Sequence, residues 1–332
     1  MKRRLWTGIL SAGAMLILIL DTKTALRGGI EGIKICLLTV LPSLLPFFVL
    51  SILLTSVLTG AASGLLRPIG RLCRMPAGSE PLLLLGLLGG YPSGAQSVTQ
   101  AYTQGQISQA DARRLLGFCS NAGPAFLFGM ASTAFEDPWI PWLLWGVHIL
   151  SAILTGILLP GSSKLQTRIA PTDPITLPWA LEKSIRIMAK VCGWIILFRV
   201  ILAFCDRWFL WLFPAELQVL LCGILELANG CVQLGSIPDS SLRFIICAGT
   251  LGFGGISVLM QTVSVTAPLG LGMYLPGKLL HGSISVILAA LIQKHPFPWL
   301  LLLPLICLYL AYFRHFHHKA ENNSSISLLH GV

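Results

Sequence analysis

Apolar stretches long enough to cross a bilayer alternate with polar turns along most of this chain, and several stop short. Residues 5–20 are apolar behind Lys2-Arg3-Arg4, and Asp21-Thr22-Lys23-Thr24 offers no good small-residue cleavage site. The pattern therefore predicts an uncleaved first helix, not a signal peptide. A second span covers 33–58, with Pro42 and Pro46 inside it, before a basic patch at Arg67, Arg71 and Arg74. Residues 82–88 are strongly apolar but stop at Gly89-Gly90-Tyr91-Pro92-Ser93-Gly94. Seven to nine residues make about 10–14 Å of helix, against roughly 30 Å of hydrocarbon. Residues 96–109 are polar, and Ser108 can cap a short helix running through Asp111, Arg113 and Arg114. Apolar character returns at Leu115, breaks at Ser120-Asn121-Ala122-Gly123-Pro124, and resumes over 125–134; a further span covers 140–159.

After a proline-bearing polar linker, the second half repeats the scheme. A long span covers 187–213, and a short apolar run over 217–225 ends in Glu226-Leu227-Ala228-Asn229-Gly230. The span over 242–261 is interrupted at Gly252-Phe253-Gly254-Gly255, and 279–292 and 298–313 finish the membrane part. Ile33-Lys34-Ile35 matches Ile185-Arg186-Ile187 at an offset of 152, Gly86-Leu87-Leu88 matches Gly223-Ile224-Leu225 at 137, and Asn121-Ala122-Gly123 meets Phe253-Gly254-Gly255 at 132. The expected organisation is an N-terminal helix (1–29), a first repeat (30–160), a cytoplasmic linker (161–183), a second, inverted repeat (184–295), a last helix with a basic end (296–319) and a disordered tail (320–332). The expected fold class is an all-α polytopic membrane protein with eight crossings, two re-entrant hairpins and broken helices.

Composition agrees with the pattern. Charged residues are 11% of the 332, hydrophobic residues 55%, and mean hydropathy is +0.79. Average soluble domains carry about 25% charge, so a soluble enzyme, a secreted disulfide scaffold and a disordered interaction protein are excluded. The net charge of +10 reads as topology. With the N-terminus inside and both short runs re-entrant, 15 of the 23 Lys and Arg fall on the cytoplasmic side, Lys278 among them. Six fall outside, and Lys190 and Arg199 lie within a span. The surplus thus gives no indication of nucleic acid. The nine cysteines are scattered singly with no CxxC pair, as small core residues are.

A helix broken at membrane depth leaves backbone groups unpaired, which is tolerated where the break is buried in protein or lines a wet cavity. Inverted repeats with paired breaks place solute sites at the midplane. The substrate-binding candidates are Tyr91, Pro92, Ser93, Gly94, Gln96, Asn121, Gly123, Glu226, Asn229, Gly254 and Ser257. Glu226 is an ionisable group at membrane depth and so a functional candidate by default; the alternative is a structural pair with Arg199. Lys190 snorkels to the headgroups. Glycines that only allow packing and prolines that only kink are the bland reading of each break. Gly249, Gly252, Gly254 and Gly255 lack the spacing of a dinucleotide fingerprint, and no GxSxG elbow, HExxH helix or P-loop occurs, so catalytic residues, metal ligands and cofactors are not expected. His148 and His281 are single and read as packing histidines, and His315, His317 and His318 as part of a basic end. Trp139, Trp142, Trp145, Trp208, Trp211 and Trp299 read as an interfacial belt.

The stretch from Gly89 to Gln96, with Gly105-Gln106-Ile107-Ser108, Arg114-Leu115-Leu116 and residues 118–126, resembles the YlbJ-type sporulation integral membrane proteins of the nucleoside-recognition, or Gate-domain, superfamily. The likeness covers roughly 30–295 and is most specific over 86–130. It implies a Gate fold, a bacterial cell membrane (the forespore outer membrane, facing the mother cell) and a need for the protein in spore cortex formation. In related nucleoside transporters the hairpin tips carry acids that contact the solute. Here the second tip offers Glu226, while the first reads Tyr91-Pro92-Ser93-Gly94 with no acid. The expected partners are the lipid bilayer, a small polar solute and a coupling ion, with a homo-oligomer left open. The alternative to transport is a membrane scaffold for cortex-building proteins. An enzyme acting on a lipid-linked precursor lacks any clustered acid–base pair.

Overall fold

A computed structural model describes residues 2–161 and 175–294 of the chain. All of its regular elements are helices, with no strand among the described residues. The first half contains α1 (Lys2–Leu20), α2 (Thr22–Ile35), a π-helical turn (Cys36–Val40) and α3 (Leu41–Leu72). A hairpin of α4 (Glu80–Gly89) and α5 (Ser93–Thr103) follows, then α6 (Gln109–Leu115), α7 (Pro124–Gly129) and α8 (Ile140–Leu158). The second half runs α9 (Leu177–Trp208), a hairpin of α10 (Ala215–Leu225) and α11 (Leu227–Gln233), α12 (Ser240–Phe253), α13 (Gly255–Val265) and α14 (Tyr274–Gln293). Both halves thus read long helix, short hairpin, broken helix, closing helix. Five helical stretches are long and apolar enough to cross a membrane: Thr22–Leu54, Ile140–Leu158, Leu177–Trp208, Ser240–Val265 and Tyr274–Gln293. The chain is an integral, multi-pass α-helical membrane protein.

The span boundaries differ from the sequence expectation at several ends: the span expected over 187–213 is Leu177–Trp208, and two other differences have a local reason. The second span begins at Thr22, where Asp21 caps α2 by accepting from the Thr24 N–H at 3.2 Å, so residues 22–32, expected as a loop, are helical. The last described span begins at Tyr274, because Pro276 sits in the first turn, where its missing N–H costs nothing. Lys278 therefore belongs to a helix and not to a cytoplasmic loop. Leu5–Leu20 and Pro124–Ala134 are shorter than a full crossing. The expected span 298–313, Trp299, the histidine-bearing basic end, the tail and most of the linker lie outside the described residues.

Glycines set how closely the helices approach. A Cβ on Gly28 would lie 2.9 Å from the Val200 Cα, and one on Gly32 2.9 Å from the Ile196 Cα. This small-xxx-small face lets α2 and α9 touch backbone to backbone. They run antiparallel: Asp21 accepts from Arg207 Nε at 2.8 Å, Glu31 from Arg199 Nε at 2.9 Å, and the Cys36 thiol faces the Cys192 carbonyl. Within the first hairpin Gly94 meets Gly86, and both lie against the Cys119 carbonyl; within the second, Gly230 meets Gly223, which lies against Thr250. Large apolar side chains on the outer surface, Leu10, Leu20 and Leu38 among them, are left for lipid. Trp139, Trp142, Trp208 and Trp211 are exposed, as an interfacial belt requires. Six of the cysteines, including Cys119 and Cys247, are buried and unbridged.

Candidate functional site

The two hairpin tips and the first helix break close on one cavity. Helix α4 ends at Gly89, and Gly90 turns the chain at φ +69°, a conformation that favours glycine. Gly123 precedes α7, with Pro124 at its first position, and a Cβ on Gly123 would lie 3.0 Å from Gly90. On the other side Glu226 leaves the helical conformation (φ −148°, ψ 116°) between α10 and α11. Gly90, Tyr91, Gly123, Glu226, Ala228 and Gln261 are among the residues lining a cavity of about 50 Å³. At roughly 10–15 Å³ for each water, this holds a few water molecules. Most of the lining is apolar, so Glu226, Gln261 and Tyr91 supply its side-chain polarity.

Glu226 is buried and caps α11. Its Oε2 accepts from the Asn229 backbone N–H at 2.7 Å and from Asn229 Nδ2 at 2.8 Å. The positive end of the short helix favours a carboxylate there. Asn229 Oδ1 is buried with no hydrogen-bond partner among the described residues. Asn229 also borders a second, open groove of about 280 Å³ with Glu31, Lys34, Arg199 and Gln233. The Arg199–Glu226 pair, the alternative reading of these two charges, is not formed. Arg199 donates to Glu31 and, through Nη1, to Asp206 at 3.1 Å, because the α2–α9 crossing brings Glu31 alongside it.

Behind the first tip lies a polar cluster centred on Lys278, a residue expected in a cytoplasmic loop. Lys278 on α14 is wholly buried, and its Nζ faces three neutral acceptors: Tyr91 Oη at 3.2 Å, Asn121 Oδ1 at 3.4 Å and His281 Nδ1 at 3.4 Å. The ammonium also sits 5.1 Å from the centre of the Tyr91 ring. His281 Nε2 donates to the His148 carbonyl at 3.1 Å, which leaves Nδ1 free to accept from Lys278. The Ala122 N–H donates to His148 Nε2 at 3.1 Å, so the proton of that ring sits on Nδ1, which is buried without a partner. The two rings stack 4.5 Å apart. Asn121 Nδ2 closes on the Phe118 carbonyl at 2.8 Å.

Of the residues named from the sequence, Tyr91, Gly123 and Glu226 line the cavity. Asn121, Asn229 and Gly254 support them; Gly254, at φ +87°, lies flat against Tyr91, where a Cβ would come within 3.0 Å of the hydroxyl. Gly94 is a packing residue within its hairpin, and Pro92 precedes α5, with Ser93 opening that helix. Ser257 is buried beside Gln261, whose Nε2 donates to its hydroxyl at 3.4 Å. Gln96 is exposed on α5 and is not part of the cavity wall. The signal for Lys278 and His281 was their i, i+3 spacing on one buried face of an otherwise apolar helix. No group of three or more His, Cys, Asp or Glu arranged to hold a metal occurs among the described residues.

With this geometry in view, the chain is similar to the sporulation integral membrane protein YlbJ of Bacillus subtilis (strain 168). The two are 28% identical over 77% of this chain and 74% of that protein. No family model matches the chain, and no solved structure matches it.

Proposed function

We propose that this chain is a sporulation membrane protein that binds a small polar solute between its two hairpin tips and passes it across the membrane by alternating access. The single observation that carries this reading is the convergence of both tips and the first helix break on one cavity with Glu226 in its wall. The likeness to a sporulation integral membrane protein supports the setting, and spore cortex formation is the process the resemblance implies. The two halves act as inverted repeats in a Gate-type arrangement: rocking one against the other opens the cavity to each face in turn. Glu226 is the solute-linked or ion-linked carboxylate, and Asn229 holds its orientation.

The test begins with a thermal-shift screen of purified protein in detergent against nucleosides, amino acids, sugars and inorganic ions. Solutes that stabilise the wild type then go to uptake assays in proteoliposomes with Glu226→Gln and Asn121→Ala. The expected result is a solute whose affinity falls at least about tenfold in Glu226→Gln, equal to about 1.4 kcal/mol. Equal, saturable binding by all three proteins would remove the proposed site.

One observation favours a second reading, in which the chain is a scaffold that gathers cortex-building proteins. The cavity has room for only a few waters and is mostly apolar. A screen in which no solute binds, together with co-purification of cortex-building proteins, would favour the scaffold.

A further inference from the structure

We infer that Lys278, which lies behind Tyr91 of the cavity wall, is a proton-binding group that exchanges its proton with Glu226, so that the ion linked to the solute is a proton. This inference rests on the transport reading above and names its coupling ion. Lys278 has no solvent exposure, and none of the salt bridges among the described residues includes it. A fixed ammonium buried without a counter-ion costs several kcal/mol, and a purely structural position of this shape is better filled by Met or Leu. Retaining an amine here makes sense where its charge is used.

The surroundings suit exchange. Tyr91 joins the amine to the cavity: its hydroxyl accepts from Lys278 Nζ and donates to the Leu251 carbonyl at 3.3 Å, and the residue is among those lining the cavity. Gly254 presses on that hydroxyl and fixes the ring. Glu226 occupies the wall of the same cavity from the other hairpin, so Tyr91 and a space with room for a few waters lie between the two ionisable groups. The step is one proton leaving the ammonium and arriving on the carboxylate, which turns a separated ion pair into a neutral amine and a neutral acid. Either form of Lys278 can keep a hydrogen bond to His281 and Asn121. The titratable groups facing Lys278 are Tyr91 from the first hairpin, Cys119 from the break before α7, His148 from α8, and Tyr274 and His281 from its own helix. Those facing Glu226 are Cys36 from the π-helical turn and Cys231 from α11. None of these supplies a second carboxylate.

The test needs no solute. Protein with ¹⁵N-labelled lysine side chains is titrated by NMR in detergent micelles, with Lys278→Met to assign the resonance. In Glu226→Gln the proton affinity of Lys278 is expected to fall about tenfold, a shift of ~1 pH unit, because the carboxylate across the cavity is gone. Tyr91→Phe keeps the ring and removes the bridging hydroxyl, so it lowers the affinity as well and decides the matter if Glu226→Gln does not fold. An unchanged midpoint in the folded variants, or a Lys278 that does not titrate between about pH 5 and 10, would overturn the inference. A protein that transports a solute yet passes neither titration criterion loses the proton coupling alone; one that passes them and binds no solute loses the transport reading instead.

Discussion

Arginine 114 shows how a charge can be used up by backbone. Its guanidinium, buried at the end of α6, donates to the carbonyls of Cys73 at 2.7 Å, Gly156 at 2.6 Å and Pro160 at 3.0 Å. These carbonyls lie just past the end of α3 and at the end of α8, where helices expose unpaired acceptors and a negative dipole. Arg74 adds bonds to Ile157 and Leu159 in the same place. We expect Arg114→Ala to cost about 2–4 kcal/mol, the loss of charged hydrogen bonds plus the desolvation of stranded carbonyls. Arg114→Lys should recover only part of this, since an ammonium cannot reproduce the planar fork. Thermal unfolding in detergent, with its midpoint compared across the three proteins, checks both. None of these bonds was legible in the sequence, where Arg114 counted as a cytoplasmic charge on a short helix and as part of a family motif. Lys278 was hidden for a related reason: Pro276-Gly277 looked like the end of a loop when it is the first turn of a helix. Arg199 was recognised as needing a partner, but the partner depends on which helix crosses it, and Glu31 lies 168 residues away.

The hairpins and breaks were far easier to read, because their causes are local. Too few apolar residues to span, followed by glycines, is a pattern visible without knowing what packs nearby, and it located the ends of α4 and α10 and the interruption at Gly254. The pairing of glycines inside each hairpin is a tertiary consequence of the same residues. A Cβ on Gly230 would come 2.3 Å from the Gly223 Cα, and one on Gly86 1.9 Å from the Cys119 carbonyl oxygen, both against backbone that cannot swing aside. We expect Gly230→Ala and Gly86→Ala each to destabilise by at least about 1–3 kcal/mol, the range for overpacking. Gly193→Ala, on α9 where a Cβ meets nothing within 4 Å, should show no such loss. Detergent unfolding measurements separate the cases, and equal stability in all three would mean that the hairpins have room to spread. The same reasoning applies to the α2–α9 contact, where Gly32→Leu should push the helices apart and weaken the Glu31–Arg199 bridge.

Taken together, the contacts between the halves support the inverted-repeat reading proposed above. At the offset of 152 the counterpart of Cys36 is Met188 and that of Cys192 is Val40, one turn to either side of the Cys36–Cys192 contact. Helix pairs related by a twofold axis meet in this way, antiparallel and at their own equivalents. Gly123 seats against the tip of its hairpin at Gly90 and Leu88, and Gly255, its counterpart at 132, seats against Ile224 and Leu227 of the other. If the axis lies in the membrane plane, the hairpins enter from opposite faces. The distribution of basic residues assigns the faces, and removing buried Lys278 from the cytoplasmic tally leaves the sign of that bias unchanged. Gln104, exposed after α5, then lies on the cytoplasmic side, and Ser236, exposed after α11, on the opposite side. Single cysteines at these two positions, in a chain whose nine native cysteines are replaced, should react with a membrane-impermeant maleimide from opposite sides of sealed right-side-out and inside-out vesicles. Labelling of both from the same side would mean that the halves are parallel, and alternating access by rocking of two inverted units would no longer describe this protein.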